Sequence, residues 1–259
     1  MKLGVNIDHI AVLREARRIN DPDPLEALGV LKRTATEQVT IHLREDRRHI
    51  TDADAASIIK HASMPVNLEC SINKNIIEIV SDLKPHRATL VPEKREEVTT
   101  EGGLDVIGLE EEIKSAIKKL KENEIDISLF IDPNEVTIRK SAELNVDMVE
   151  LHTGTYANIY AMLYSTLSKT HHTIKELELS RAELKELLSK SLGQLRINAD
   201  LGVALGMQVA AGHGLNYSNV EEIIKINSIS ELNIGQSIIA RSVFTGLENA
   251  IKDMKIAIS

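Results

Sequence analysis

The sequence predicts an α/β fold, one (βα)₈ barrel spanning residues 1–259. Two observations carry that expectation. Eight short runs rich in β-branched and aliphatic residues alternate with stretches whose apolar residues recur every three or four positions, the pattern of βα units joined into a parallel sheet. A chain of 259 residues is also the size of one complete barrel, and no Gly/Ser-rich or Pro-rich linker divides it. An open doubly wound sheet would share the alternation, but eight units suit a closed barrel better.

In chain order the expected strands are residues 3–8, 38–43, 66–69, 88–91, 127–131, 148–151, 207–210 and 232–234. Helical patterns fill the gaps, for example 107–120 and 243–258. Two segments exceed a minimal barrel. After the fourth strand comes the polar run PEKREEVTTEGG at 92–103, and loops of that length in compact domains are commonly functional lids. Between the sixth and seventh strands, residues 156–206 contain no proline, and Leu177, Leu184, Leu188 and Leu195 suggest a long amphipathic helix with charges interleaved. We read this segment as an inserted helical hairpin whose apolar stripe meets another subunit.

Composition narrows the function classes. Hydrophobic residues make up 42% and charged residues 27%, an ordinary globular balance. A formal net charge of −8, with two Phe, four Tyr and no Trp, argues against a nucleic-acid binder, by sign of charge and by lack of stacking surface. No stretch of eighteen apolar residues and no signal-peptide pattern occurs, so the expected location is the cytoplasm, with no membrane partner. Cys70 is the sole cysteine, which excludes an internal disulfide or a multi-cysteine zinc site.

In barrels of this class the strand C-termini converge on one open mouth, so polar residues there carry the chemistry. The first strand leads to Asn6, Asp8 and His9, and the second to His42 and Arg44. Glu69 ends the third, Glu150 and His152 the sixth, and AGHGL brings His213 after the seventh. Residues two apart on a strand share a face, which pairs His42 with Arg44 and Glu150 with His152. By the same rule Asp8 and His9, adjacent in sequence, should face opposite ways. That expectation, with the absence of HxH or HExxH spacing, speaks against a metal site. His61, His86, His171 and His172 read as structural or surface residues.

Anion handling is suggested by HLREDRRHIT at 42–51 and by REARR at 14–18, which includes Arg17, because guanidinium forks match phosphate oxygens. Gly214 and Gly235 fall where the seventh and eighth strands pass into helices, the usual phosphate position of this fold. There is no Walker motif, and the Rossmann pattern fails at Tyr217.

Taken together, GVNIDHIAVLREAR at 4–17, HLREDRRHI at 42–50, NLE at 67–69, VPEKREEVTTEGGLDV at 91–106, SLFID at 128–132, ELHTG at 150–154, AGHGLNY at 211–217 and ELNIG at 231–235 resemble the pyridoxine 5′-phosphate synthase family over nearly the whole chain. The resemblance implies a barrel with extra helices that assembles into homo-octamers. It also implies condensation of 3-amino-2-oxopropyl phosphate with 1-deoxy-D-xylulose 5-phosphate to give pyridoxine 5′-phosphate, phosphate and water, with no cofactor. Carried over by motif, His42 and Glu69 are implied proton acceptors, His213 a proton donor and Glu150 a transition-state stabiliser. Asp8, His9, Arg44, His49 and Thr99 would hold the deoxyxylulose phosphate, and Asn6, Arg17, Gly214, Gly235 and Gln236 the aminoketone phosphate. Where the family commonly has Gly-His after the last strand, this chain has Gly235-Gln236, and its 156–206 segment is longer. The alternatives weighed on the residues are a sugar-phosphate isomerase or aldolase, and a non-catalytic scaffold working through the long helices.

Overall fold

Polar and apolar residues alternate along most of the strands, and that alternation decides what each side of the sheet faces. β2 (Gln38–Leu43) sends Val39, Ile41 and Leu43, all fully buried, to one side, and Gln38, Thr40 and His42 to the other. β1 (Lys2–Asn6), β3 (Val66–Cys70), β4 (Arg87–Leu90), β5 (Asp126–Ile131), β6 (Met148–His152), β7 (Gln208–Gly212) and β8 (Glu231–Ile234) turn an apolar side outward in the same way, and inward they present mainly polar residues, with Phe130, Met148 and Ala210 as apolar exceptions. In the computed structural model, which describes residues 1–93 and 102–259, these eight parallel strands close into one barrel in chain order. The expected strands are all present, with ends displaced by a residue or two.

The apolar faces, among them Val5, Ile41, Leu68, Leu90, Leu129, Leu151, Val209 and Leu232, pack outward against the surrounding helices and form the main core. These helices are α1 (Asp8–Glu15), α2 (Ala27–Arg33), α3 (Asp52–His61), α4 (Lys74–Leu83), α5 (Glu110–Lys121), α6 (Glu135–Glu143), α7 (Gly154–Tyr164), α8 (Arg181–Ala204), α9 (Val220–Ile224), α10 (Gln236–Thr245) and α11 (Leu247–Ala257). The pattern at 243–258 is divided by Gly246, whose φ of 77° ends α10 and starts α11.

The barrel interior is polar. Arg87 Nη1 donates to Glu231 Oε1 at 2.7 Å, Gln38 Nε2 donates to Glu231 Oε1 at 3.1 Å and to Asn233 Oδ1 at 3.2 Å, and Thr40 Oγ1 donates to the same Asn233 oxygen at 3.2 Å. Gly4 leaves room for this crossing, since a Cβ there would lie 2.1 Å from Asn233 Oδ1.

Two expectations are corrected. The long helix in the insertion is α8, started by a Ser180–Glu183 capping box, and Leu177 precedes it in a 3₁₀ turn. Its apolar stripe is spent inside the chain: Leu184 is buried with Ile159, Met162, Leu163 and Ile174, Leu177 and Leu188 pack against that cluster, and Leu195 joins the main core. The stripe therefore does not need a second subunit. The helix after β7 also starts late, at Val220, so Gly214 lies in a connecting loop rather than at a helix start.

The mouth is braced from outside by Arg14 on α1. Its guanidinium grips both oxygens of Asp54 at 2.9 and 2.8 Å and donates to the His49 carbonyl at 2.9 Å, while Asp54 closes the Thr51 capping box of α3. Burial works to raise the Asp54 pKa, but the hydrogen bonds from Arg14 and Thr51 outweigh it and hold the carboxyl below its ordinary value. Arg14→Met should therefore cost roughly 3 kcal/mol at neutral pH, because a largely covered carboxylate loses its partner. A depressed folded pKa contributes stability above the unfolded value and loses it as pH falls, so the gap between variant and parent should shrink by about pH 3. Urea unfolding at both pH values measures this.

Candidate active site

The strand C-termini and the loops that follow them enclose a cavity of about 450 Å³. Asn6, Asp8, His9, His42, Arg44, His49, Glu69, Glu150, His213, Gly214, Gly235 and Gln236 all line it, which brings together all but two of the residues singled out from the sequence. Arg17 is not among them: it lies exposed beyond the end of α1 and outside the cavity. Thr99 and most of the expected lid at 92–103 lie outside the described residues.

Register explains much of the convergence. His42 on β2 pairs with Glu69 on β3, so the two side chains stand next to each other on the inner face. Asp8 and His9 do not alternate, because β1 ends at Asn6 and both belong to the first turn of α1, from which both reach the mouth. Asp8 is locked in place: its Oδ1 accepts the His42 backbone N–H at 2.9 Å and its Oδ2 accepts from Asn6 Nδ2 at 2.8 Å.

Tautomers follow from the partners. His49 Nδ1 accepts the Ile50 N–H at 2.8 Å, so in the neutral ring Nε2 carries the hydrogen and serves as a donor. His42 Nε2 lies 3.2 Å from Glu93 Oε1, and Glu93 Oε2 accepts the Glu45 N–H at 3.0 Å. Burial acts to raise the Glu93 pKa, yet the His42 and Glu45 hydrogen bonds prevail and leave it lowered. An ionised Glu93 can only accept, so His42 holds its hydrogen on Nε2 and keeps Nδ1 as the basic nitrogen. Glu93 went unnoticed in the sequence because it lies three residues past β4 in the polar run; its only signal is that it is the first acidic residue after a strand end.

Among the described residues, Asp8, His42 and His49 offer ligand atoms within 4.8 Å of one another, a spacing that could hold a cation. His42 Nε2 faces Glu93 and leaves Nδ1 with a lone pair, while His49 carries an Nε2–H, so the same set can handle an anion or a proton as well as a cation.

Glu150 is the deepest acid of the mouth. Burial pushes its pKa up to about 7, the Glu231 charge adds to that, and the hydrogen bond from Asn233 Nδ2 at 2.7 Å and the Arg87 charge work in the opposite direction. A Cβ at Gly212 would fall 2.1 Å from Glu150 Oε1, so that glycine gives the carboxyl its space. His213 follows with φ of 80°, in the left-handed region, and Thr153 Oγ1 donates to the Gly212 and His213 carbonyls at 2.6 Å each, pinning the turn. Gly235 caps α10, whose first turn carries Gln236 and Ser237 into the mouth; a Cβ at Gly235 would press on Asn6 at 2.8 Å. The open N–H groups of such a first turn suit an anion.

The chain matches the family model described as Pyridoxal phosphate biosynthesis protein PdxJ over residues 3–259. It is 67% identical over 255 residues to the Pyridoxine 5'-phosphate synthase of Aliarcobacter butzleri, covering 98% of each chain. It is also 67% identical to the protein of that name from a Nitratiruptor species, with 98% of this chain and 96% of the relative covered. Among solved structures, phosphoribosyl anthranilate isomerase from Thermus thermophilus superposes with a TM-score of 0.54 at 11% identity, covering 98% of this chain and 100% of that one. That likeness concerns the barrel fold alone.

The raised Glu150 pKa has a consequence for stability that needs no substrate. A carboxyl whose folded pKa lies above its unfolded one supports the fold while protonated, and that support is lost as pH rises through the folded value, here about 7. Glu150→Gln should therefore melt above the parent near pH 8 and level with it by about pH 3, where the parent carboxyl is protonated in both the folded and the unfolded state. Thermal melts across that range check the convergence.

Proposed function

The chain belongs to the PdxJ family of pyridoxal phosphate biosynthesis proteins, and from that premise we propose that its barrel mouth performs the pyridoxine 5′-phosphate synthase reaction. It condenses 3-amino-2-oxopropyl phosphate with 1-deoxy-D-xylulose 5-phosphate to give pyridoxine 5′-phosphate, phosphate and water. The observation that carries this reading is the convergence of the motif residues on one cavity of about 450 Å³, with acids, bases and anion donors in separate places.

Imine formation, phosphate loss, ring closure and dehydration all move protons on and off carbon, nitrogen and oxygen. Two neighbouring acceptors supply half of that need: His42, with its Nε2–H directed at Glu93 and Nδ1 left basic, and Glu69 beside it in register. His213 gives protons from the opposite wall. Glu150, with a pKa near 7, exchanges between neutral and charged forms at working pH and stabilises charge that develops between the two walls. These groups suffice for the proton transfers without a cofactor.

The two anionic substrates have separate holds. Asp8, His9, Arg44, His49 and Thr99 take the deoxyxylulose phosphate, with the His49 Nε2–H and the buried Arg44 guanidinium as donors. Asn6, Gly214, Gly235 and Gln236 take the aminoketone phosphate at the start of α10. Arg17 completes this second set from a neighbouring copy in a homo-octamer, a role that suits its exposed place outside its own cavity, with Val12, Leu13 and Ile19 exposed around it. The reading places the protein in the cytoplasm; among the described residues no helix is long and apolar enough to cross a membrane.

Mixing the purified protein with both phosphorylated substrates should generate the pyridoxine phosphate chromophore, and neither substrate alone should do so. Product from the deoxyxylulose phosphate alone would favour an isomerase-like activity instead. Glu69→Gln keeps shape and removes a proton acceptor, so turnover should fall about 10²–10⁴-fold with substrate affinity little changed; near-normal turnover would remove Glu69 from the mechanism. At the start of α10, Gln236→Glu should sharply weaken aminoketone affinity by placing a carboxylate beside the phosphate, while Gln236→His should retain activity and make that affinity pH-dependent around about pH 6.5. Equal aminoketone affinity in Gln236→Glu and parent would move the phosphate away from this helix.

A further inference from the structure

His152, the last residue of β6, has no part in the proton transfers described so far, yet its surroundings are built. Its ring is 5% exposed and packs edge-on against Phe130 and His213, with centroids 5.2 and 5.0 Å away. Nδ1 lies 3.2 Å from Asp132 Oδ1, just beyond β5, and the same oxygen accepts the Gly103 N–H at 2.9 Å. The His152 hydrogen bond, helped by Gly103, keeps the Asp132 pKa below its ordinary value against the opposing effect of burial. An ionised Asp132 can only accept, so His152 carries its hydrogen on Nδ1 and leaves a lone pair on Nε2.

That Nε2 is buried and, among the described residues, has no hydrogen-bond partner. A buried ring nitrogen without a partner is destabilising, which favours a state of the site in which it is paired. The geometry around Gly154 identifies the neighbour. A Cβ built on Gly154 would lie 2.4 Å from His152 Nε2 and 3.1 Å from His213 Cδ2, so the two atoms border the same small space, open because Gly154 has no side chain. A half-turn of the His213 ring about its Cβ–Cγ bond exchanges Cδ2 with Nδ1 and brings an N–H to the border of that space, on the side of the His152 lone pair.

We propose that Asp132 and His152 are positioning residues for His213: Asp132 holds the hydrogen of His152 on Nδ1, and His152 Nε2 accepts the Nδ1–H of His213, stabilising the imidazolium that delivers its other proton to the substrate. This rests on the reading of His213 as proton donor. In the step itself the His213 Nε2–H bond breaks, the proton goes to the substrate oxygen and the electron pair stays on Nε2. The Nδ1 hydrogens of His213 and His152 stay where they are, and solvent restores the transferred proton. Among the described residues, the titratable groups facing this pair of rings are Asp132, just beyond β5, and Glu150 from β6, with Glu69 and His42 on the far wall; Phe130, Thr153 and Gly154 border the rings as uncharged neighbours.

The test is the pH profile of kcat/KM together with the ¹⁵N NMR titration of His213, in the parent, His152→Phe, His152→Gln and Asp132→Asn. In His152→Phe the His213 midpoint and the high-pH limb of kcat/KM should both move down by about one pH unit, with kcat reduced on the order of 10²-fold and KM for both substrates nearly unchanged. Asp132→Asn should move both in the same direction, and His152→Gln, whose amide oxygen can still accept, should recover part of the shift. Asp132 is half exposed, so its variant decides the matter if His152→Phe does not fold. His213 titrating as in the parent in every variant that folds would overturn the proposal. His213→Asn separates the two readings: if it retains turnover, His213 is not the donor, whereas its inactivity beside unshifted His152 and Asp132 variants sinks only the positioning pair.

Discussion

The constraint on which the site depends is the buried charge inside the barrel. Glu231 is 2% exposed and must be compensated where it stands, which Arg87 and Gln38 do by donating to the same carboxylate oxygen. From there the hydrogen bonds climb toward the mouth. Gln38 and Thr40 both donate to the Asn233 carbonyl oxygen, and an amide whose oxygen is filled from below must turn its NH₂ upward. That NH₂ meets Glu150 at 2.7 Å. The direction of the deepest carboxyl of the mouth is thus set by an ion pair beneath it, through a fixed succession of donors and acceptors.

Above this network the mouth separates its acids by environment. Glu150, buried beside another acid, has its pKa raised, whereas Glu93 and Asp132, each paired with an imidazole and a backbone N–H, have theirs lowered. The two lowered carboxylates sit behind His42 and His152 on opposite walls and dictate which ring nitrogen carries the hydrogen. One fold therefore presents an imidazole backed by a carboxylate, a carboxyl balanced near neutrality and the His213 imidazole within a single cavity. For all its net charge of −8, the protein gathers hydrogen-bond donors suited to anions in that cavity: the Arg44 guanidinium, the His49 Nε2–H and the first turn of α10.

Strand-end residues were legible because period-two alternation and a closed parallel sheet leave little choice about where His42, Glu69 and Glu150 can point. Partners contributed by a distant part of the chain were not. Glu93 and Asp132 look in sequence like members of a polar loop and a turn, and only their approach to His42 and His152 reveals what they do. The insertion misled for a related reason: the spacing of its leucines shows that an apolar stripe exists, but whether α7 or another subunit covers it depends on how the chain folds back. Asp8 and His9 misled because a strand drawn too long converts a helix turn into an alternating pair.

By itself the sequence determined the barrel, its eight strands, the family and most of the cavity lining, since hydrophobic period, strand parity and motif order are local properties written along the chain. The tertiary structure alone decided the tautomers of His42, His49 and His152, the raised pKa of Glu150, the polar column from Arg87 to Asn233 and the exposure of Arg17 outside its own mouth. Those properties depend on distances between residues far apart in the chain, on burial and on which donor fills which acceptor, and none of these is fixed until the barrel closes.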